Sequence, residues 1–301
     1  MTATPVTAPA PPPGAPGARR IGGGPTRSVA AASWTALGAL LLRDVVVLRK
    51  HLWEFVLRTL IQPFLLCFVF LYVFPTIGQG VGGGHGAAGE SAFATILVAG
   101  VVGLSVMFQG IQAVALPMVQ EFGYTKEIED RVLAPLPVSL VAMEKVLFGA
   151  IQGLLAAAIV FPIAAVVHAG GVHIDLQVHW LQLITLIPLA CITCSSLGLT
   201  FGTIFDPRTV PLLFGIIILP LTFLGGTYYS WTTLSPVTVG GFHWLQVLVL
   251  VNPLIYINEG MRGALTTAPH MSLWVVYPVL LGFSALFLWT GTRNFRRRVI
   301  S

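Results

Sequence analysis

The sequence predicts an all-α integral membrane protein with six transmembrane helices, and three observations lead to this fold class. First, 55% of the 301 residues are hydrophobic and only 9% are charged, whereas soluble domains carry about a quarter charged residues. Second, the mean hydropathy is +0.86, and the apolar residues gather in segments of about 20 residues, the length that crosses a hydrocarbon core. Third, the charged residues lie almost entirely between those segments.

The chain begins with a stretch that lacks the residues for a packed core. Residues 1–33 are rich in Ala, Pro and Gly and contain no apolar run, so we expect a disordered cytoplasmic tail. Residues 34–53 are predicted to form a basic amphipathic helix on the membrane surface, because apolar residues recur every three or four positions and the charges fall largely off that stripe. The stripe consists of Trp34, Leu37, Leu41, Val45, Leu48 and Leu52.

Residues 54–301 are predicted to form the six-span transmembrane domain. A further apolar run, Leu245–Ile257, is only about 13 residues long and contains Asn252 and Pro253, so it is predicted to be re-entrant or interfacial. The spans, each long enough to cross the membrane, are placed near residues 57–77, 92–116, 140–167, 180–205, 210–229 and 272–290.

The distribution of Lys and Arg predicts the orientation of this domain. Fifteen of the sixteen basic residues fall in segments that would share one side of the membrane, and Arg262 alone falls on the other. Because basic loops stay in the cytoplasm, we expect a multi-pass plasma membrane protein, bacterial in origin, with both termini cytoplasmic. The net charge of +5 therefore indicates contact with anionic lipid headgroups rather than with nucleic acid.

Gln120–Lys145 is the one long hydrophilic stretch between two spans, and it holds five of the eleven acidic residues. We expect it to sit in water and to form a short cytoplasmic helix, N-capped by Thr125 and ended by the prolines that follow. Ile128 and Val132 would leave an apolar ridge that docks on a soluble partner. The residues predicted to make this contact are Phe122, Tyr124, Thr125, Glu127, Ile128, Glu129, Arg131 and Val132.

The spans carry small polar residues but no ionisable residue near the membrane midplane. Ion-coupled transporters need such groups, so an independent secondary transporter is disfavoured. The polar residues have two interpretations: interhelical hydrogen bonding with close packing, or the lining of a path for an amphipathic substrate. The candidate path residues are Ser105, Gln109 and Gln112 in the second span and Thr193, Ser196 and Thr200 in the fourth.

The sequence offers little for catalysis or metal binding, and we predict neither a catalytic residue nor a metal site. No Gly-x-x-x-x-Gly-Lys-Ser/Thr motif is present, and the histidines after the third span match no structural zinc spacing. Cys191 and Cys194 lie in an apolar segment and are interpreted as small packing residues. For Glu259 and Arg262, three apart, an exposed salt bridge is the first interpretation and a gate element the alternative.

Three stretches of the chain carry recognisable patterns. They are the run from Glu121 to Lys145 with its Pro137-Val138-Ser139 step, Gly225-Gly226-Thr227-Tyr228-Tyr229 at the end of the fifth span, and Asn252-Pro253-Leu254-Ile255-Tyr256 with Glu259-Gly260-Met261-Arg262 before the sixth. In this order they resemble the membrane subunits of type-2 ABC exporters, the family that includes daunorubicin-type drug, nodulation-factor and polysaccharide or lipid export permeases. The resemblance covers residues 34–298 and leaves out only the tail and the last residues.

This resemblance implies a set of partners. The amphipathic helix would be the connecting helix of the family, and the 120–145 stretch would contain its coupling helix. Two copies of a separate ATPase subunit would bind ATP-Mg, so no cofactor is expected in this chain. A second permease copy, in a homodimer, would complete the substrate path among membrane lipids. Tyr228, Tyr229, Asn252, Glu259 and Arg262 then become candidates for an outer gate.

The expected substrate is a lipid, a glycolipid or a hydrophobic drug, exported from the cytoplasm or the inner leaflet, since the loops are short. A polysaccharide or glycan exporter permease is the alternative. An integral membrane enzyme acting on lipid carriers would need clustered acids or metal ligands, and the outer acids are only Glu90, Asp175 and Glu259. A channel or scaffold, the remaining class, would not depend on an ATPase.

Overall fold

The computed structural model describes residues 29–77, 87–125, 137–166, 174, 176–206 and 209–300. Within these ranges the regular structure is helical, apart from one isolated antiparallel bridge between Val239 and Phe242. The principal helices are α1 (Val29–Lys50), α2 (Leu52–Thr76), α3 (Ala87–Gln120), α4 (Val138–Val166), α5 (Trp180–Ile204), α6 (residues 210–224), α7 (Trp244–Val249), α8 (Pro253–Leu265) and α9 (Leu273–Ile300).

Six of the described helices are long and apolar enough to cross a membrane, which agrees with the predicted fold class. The set differs from the predicted one at two places. Helix α1, predicted to lie on the surface, is also apolar enough to qualify. Helix α6, the predicted fifth span, is not among these six: it stops at Leu224, five residues before its predicted end, because the chain turns at Gly225 and Gly226. The φ of Gly226 is +69°. Such a φ favours glycine.

Helix α3 is the centre of the molecule and packs against α2, α4, α5 and α8. Small residues let these helices approach closely. A side chain at Gly110 would collide with Cys194, and one at Gly198 would collide with the backbone of Ile111. Gly153 packs in the same way on Cys191. The Cys-x-x-Cys therefore serves helix packing, as predicted from its apolar surroundings, and both thiols are free and buried.

Helix α1 ends at Lys50, and after the single residue His51 the chain continues as α2. The predicted apolar stripe of α1 is turned partly toward the protein: Leu37 is buried, while Trp34 at one end is 62% exposed. Its main neighbour is α4. The helix therefore lies beside the start of α4, with its basic end next to the start of α2.

Candidate functional site

The most unusual element is α8, a short helix whose 13 residues are all buried. Asn252 caps its start by accepting a 3.0 Å hydrogen bond from the backbone N–H of Leu254, and Pro253 occupies the first turn, where no N–H is needed. The helix packs against α3, α5 and α9. The apolar run 245–257, predicted to be re-entrant or interfacial, is divided between α7 and α8.

Glu259 on α8 is fully buried and accepts hydrogen bonds from four groups. Its Oε1 accepts from Ser230 Oγ at 3.2 Å, from the Trp231 N–H at 2.7 Å and from Arg262 Nη1 at 2.8 Å. Its Oε2 accepts from the backbone N–H of Met271 at 2.7 Å. One carboxylate thus joins α8 to the chain on both sides of it, at residues 230–231 and at residue 271.

Arg262, also fully buried, completes this centre. Its Nη2 donates to the backbone carbonyl of Gly226, so the guanidinium connects α8 to the turn that ends α6. The interpretation of Glu259 and Arg262 as an exposed salt bridge is wrong, since neither side chain reaches solvent. A buried charge persists only when it is paired and hydrogen-bonded, and these contacts supply that pairing.

Asn258, the residue before Glu259 on α8, contacts the same turn. Its Nδ2 donates to the Gly225 carbonyl at 2.7 Å and to Thr227 Oγ1 at 3.2 Å. A side chain at Gly103 of α3 would occupy the place of the Asn258 amide oxygen, and one at Gly100 would meet the backbone of Thr227. The glycines of α3 therefore admit both α8 and the turn. We call Asn258, Glu259, Arg262 and the turn 225–231 the α8 hub.

A second charged centre lies at the C-terminal end of α3. Lys145 on α4 donates to Glu121 Oε1 at 2.5 Å, and both side chains are less than 10% exposed. Glu144 is fully buried beside them. Gly103 and Glu121 are eighteen residues apart, which at 1.5 Å per residue is about 27 Å along the helix. The contact of α3 with the α8 hub and the second charged centre therefore lie about one hydrocarbon thickness apart along the helix.

An open cavity of about 660 Å³ adjoins this second centre, where α1, α2, α3 and α4 meet. Charges of both signs line it, because acids and bases from all four helices converge at their polar ends. The charged and titratable residues in the lining are Asp44, His51, Glu54, Arg58, Glu121 and Lys145. The expectation that the whole 120–145 stretch sits in water is wrong for its two ends, because Glu121, Glu144 and Lys145 are buried.

Between the two charged centres, a polar chain crosses from α2 through α3 to α4. Thr59 Oγ1 donates to Gln109 Oε1 at 3.3 Å, and Gln109 Nε2 donates to Gln152 Oε1 at 2.9 Å. All three side chains are buried. A small cavity of about 40 Å³ beside this chain is lined by polar residues of α2 and α3, namely Arg58, Thr59, Gln62, Ser105, Gln109 and Gln112, together with Pro63, Leu104 and Phe108.

A protein-family model and several known proteins match this chain. Residues 35–266 match the model of a family described as ABC-2 type transporter. The chain belongs to this family. It is also 26% identical over 261 residues to proteins named inner membrane transport permease YadH, from Escherichia coli K12, E. coli O157:H7 and Shigella flexneri, covering 84% of this chain and 92% of each relative. The ABC-2 chain is thus a multi-pass plasma membrane protein and the membrane subunit of a transporter.

Part of the predicted coupling contact of this ABC-2 permease falls within the described residues. Phe122 packs against Phe295 at 5.7 Å between ring centres, and the guanidinium of Arg298 lies 5.5 Å from its ring. Phe122 therefore lies between α3 and α9. Tyr124 and Thr125 belong to a π-helical turn that extends α3. Glu127, Ile128, Glu129, Arg131 and Val132 lie outside the described residues, so the coupling role stays a prediction.

The six candidate path residues divide into two groups. Ser105, Gln109 and Gln112 line the small polar cavity described above. The row on α5 faces α9 instead. Thr193 Oγ1 lies 2.6 Å from Ser284 Oγ, and Thr200 Oγ1 donates to the Phe287 carbonyl at 2.8 Å. Ser196 is fully buried. Interhelical hydrogen bonding therefore accounts for Thr193 and Thr200, and the path role of the row stays a prediction.

The predicted gate tyrosines belong to the turn 225–231 of the α8 hub. Tyr228 contacts Phe70 of α2 and Phe223 of α6, with ring centres 5.6 and 6.0 Å apart. Tyr229 donates its hydroxyl hydrogen to the Phe223 carbonyl at 2.8 Å. Asn252 likewise donates to the carbonyl of Leu221 at 2.7 Å. Four of the five gate candidates therefore contact the end of α6 or the turn after it, and Glu259 is joined to them through Arg262.

Sequence reasoning missed Asn258 and Gln152. Asn258 lies beside the singled-out Glu259 and Arg262, and a polar residue on the same short apolar helix was the available signal. Gln152 stands alone in an apolar segment, next to Gly153. An isolated glutamine inside a span needs a partner in the membrane, which could have pointed to Gln109. Among the described residues no group of three or more His, Cys, Asp or Glu could hold a metal ion.

Proposed function

We propose that this permease is the membrane subunit of an ATP-driven exporter that moves a lipid, a glycolipid or a hydrophobic drug out of the cytoplasm or the inner leaflet. Two copies of this chain and two copies of an ABC ATPase would form the transporter. The Lys- and Arg-rich ends, with both termini, would face the cytoplasm, because fifteen of the sixteen basic residues lie there in this orientation.

One observation carries the proposal. In the described spans the ionisable side chains lie near the helix ends, and the chain that crosses between the two charged centres is made of Thr59, Gln109 and Gln152, which are neutral. A transporter driven by protons or ions needs ionisable groups along its path. The energy for transport must then come from outside this chain, and the sequence carries no nucleotide-binding motif of its own.

The ATPase would act through the 126–136 stretch, which lies between α3 and α4. Those two helices are joined near the membrane surface by the Glu121 and Lys145 ion pair. A force on the stretch would therefore move α3 and α4 together. Since α3 carries Gly103 against Asn258, the same movement would reach the α8 hub about 27 Å away.

A second copy of the chain would cover the polar face of α2. Arg58 and Gln62 are exposed there, beside the small polar cavity. A polar group facing lipid is costly because lipid tails offer no hydrogen bonds. A second permease placed on this face would bring its own Arg58 and Gln62 toward those of the first, since a two-fold interface uses the same patch twice. The substrate path would then run between the copies.

The amphipathic substrate class rests on the contrast between two cavities. The one between α2 and α3 is polar. Another, of about 390 Å³, lies between α3, α4 and α5 and has an almost wholly apolar lining that includes Leu154, Phe161, Ile184 and Pro188. The apolar cavity would accept a hydrophobic tail or drug, whereas the polar cavity, at about 40 Å³, has room for about one water molecule. A polysaccharide, the alternative substrate, would leave the apolar cavity without an occupant.

The experiment is co-expression of this chain with a candidate ABC ATPase, followed by purification through a tag on the permease and measurement of ATP hydrolysis in nanodiscs. We expect a complex with two copies of each subunit whose hydrolysis responds to lipids or hydrophobic drugs. A permease that purifies alone under conditions that preserve its fold would reject the exporter proposal. Stimulation by glycans only would select the polysaccharide alternative.

Charge reversal tests the coupling contact within that complex. Glu127→Lys and Glu129→Lys should reduce ATPase binding and transport while leaving membrane insertion intact. Glu54→Lys and Glu90→Lys are the matched controls, because they reverse one charge elsewhere on the chain. If all four variants transport equally, the 126–136 stretch is not the docking contact.

Cysteine crosslinking tests the pairing of two permeases. Gln62→Cys should give a crosslinked dimer in membranes treated with a short bis-maleimide reagent. Leu154→Cys, at the apolar cavity on another face, is the control and should give far less. Equal crosslinking at both positions would place the second copy elsewhere.

A further inference from the structure

The C-terminal half of α9 forms a basic groove with the start of α4, and none of the functions assigned above uses it. The groove has a volume of about 1010 Å³ and is open to the surroundings. Its lining changes character along the helix, from apolar at one end to basic at the other. The lining residues are Ser139, Ala285, Leu288, Trp289, Thr292, Arg293, Arg296 and Arg297.

The basic end contains three guanidinium groups on one helix face. Arg293, Arg296 and Arg297 are all exposed, and within the described ranges no carboxylate pairs with them. Arg293 lies over the ring of Trp289, 5.3 Å from its centre, which holds one guanidinium at the level of the tryptophan. The neighbouring Arg298 is different, because it donates to the Phe205 carbonyl at 2.6 Å and is used within the fold.

The apolar end continues the membrane-spanning part of α9. Ala285 and Leu288 lie on the Leu273–Val299 span, and Trp289, 59% exposed, is the kind of side chain that settles at headgroup level. From Ala285 to Arg297 the helix rises by about 18 Å. The groove therefore runs from hydrocarbon depth into the headgroup region, with the tryptophan at the boundary.

We propose that this groove is a binding site for an anionic phospholipid, with the phosphate held by Arg293, Arg296 and Arg297 and an acyl chain lying along Ala285, Leu288 and Trp289. Guanidinium groups bind phosphate oxygens in pairs of parallel hydrogen bonds. A free phosphate ion would leave the apolar end without an occupant. An acidic protein surface would not reach the residues at hydrocarbon depth. A phospholipid matches both halves, and the proposal does not depend on the exporter assignment.

The test uses the full-length chain purified in detergent. Native mass spectrometry would count retained lipids after titration with phosphatidylglycerol, phosphatidylcholine or inorganic phosphate. We expect preferential retention of phosphatidylglycerol. Arg293→Gln with Arg296→Gln should weaken it about 30-fold, because each basic residue near an anionic surface contributes roughly fivefold. Arg49→Gln with Lys50→Gln removes the same charge from exposed positions of α1 and should leave this retention close to wild type.

A second measurement keeps the proposal testable if the double variant is poorly folded. Trp289→Leu retains all three guanidiniums but removes the stacking surface, and it should lower phosphatidylglycerol retention severalfold without changing the elution profile. Equal retention of the two phospholipids by the wild type would overturn the proposal. Equal losses in the groove and α1 variants would also overturn it, because they would indicate general charge attraction. Inorganic phosphate that competes for the site as well as the lipid does would overturn it too.

Discussion

Glu259 and Arg262 lie one turn apart on α8 and form a 2.8 Å ion pair in which neither side chain is exposed. The pair is also hydrogen-bonded to other parts of the chain, since Glu259 accepts hydrogen bonds from the backbone N–H groups of Trp231 and Met271. Removing one member of a buried pair leaves an uncompensated charge, which costs about 3–5 kcal/mol. The α8 hub is therefore a centre on which the packing of α8 depends.

Glu259→Gln and Arg262→Met should each lower the midpoint of thermal unfolding by about 10 °C, given roughly 2–4 °C for each kcal/mol in a protein of this size. The double variant should recover part of the loss, because no lone charge remains. Fluorescence-detected size-exclusion chromatography after heating would measure the midpoints. Glu54→Gln, in the exposed pair with His51, is the control and should change little. Single variants as stable as this control would contradict the buried pairing.

Gly103→Ala should destabilise the protein by several kcal/mol, because the new methyl group would occupy the place of the Asn258 amide oxygen and overpacking costs about 1–3 kcal/mol or more. Gly282→Ala on α9 is a matched control with open space around it. There, alanine should be neutral or stabilising by up to about 1 kcal/mol, since glycine is the poorer helix former. Similar midpoints for the two variants would show that α3 and α8 do not approach so closely.

Glu121→Lys and Lys145→Glu should each abolish the 2.5 Å pair between α3 and α4 and reduce transport, because each places two like charges together in a buried position. The double exchange restores opposite charges and should recover a large part of both expression and activity. ATP hydrolysis and substrate export would be measured in the complex with its ATPase. Additive losses in the double variant would mean that the two residues act independently.

The two groups of polar path candidates should respond differently to substitution. Thr193→Val removes a hydrogen bond between α5 and α9 and should lower stability by about 1 kcal/mol with substrate preference unchanged. Gln112→Leu, at the polar cavity of α3, should instead change the relative export of polar and apolar substrates. Export rates for two substrates, divided by one another, separate these effects. A changed ratio for Thr193→Val would indicate that the α5 row lines the substrate path.

The sequence predicted the helical membrane fold because length and apolarity alone decide whether a segment can cross a bilayer. It misplaced the boundary of α6, because Gly225 and Gly226 stand within an apolar run and only the tertiary contact with α8 shows that the chain turns there. Glycine is common in transmembrane helices, so these two residues alone do not show where the helix ends.

The sites were predicted less well than the fold, for an electrostatic reason. Glu121, Glu144 and Lys145 were assigned to water because charges are usually exposed, yet all three are buried. Glu259 and Arg262 were likewise predicted to be exposed. Burial of a charge depends on partners such as the Met271 N–H and the Gly226 carbonyl, which are distant along the chain and are invisible to a local pattern.

The full burial of α8 also fixes the order in which the molecule can be assembled during synthesis. Thirteen residues are too few to enter the bilayer as a span, and Glu259 and Arg262 make unassisted entry costly. Helix α8 packs against α9 as well as α3 and α5, and α9 is made after it. The burial of α8 is therefore complete only after α9 has been synthesised and has inserted beside it.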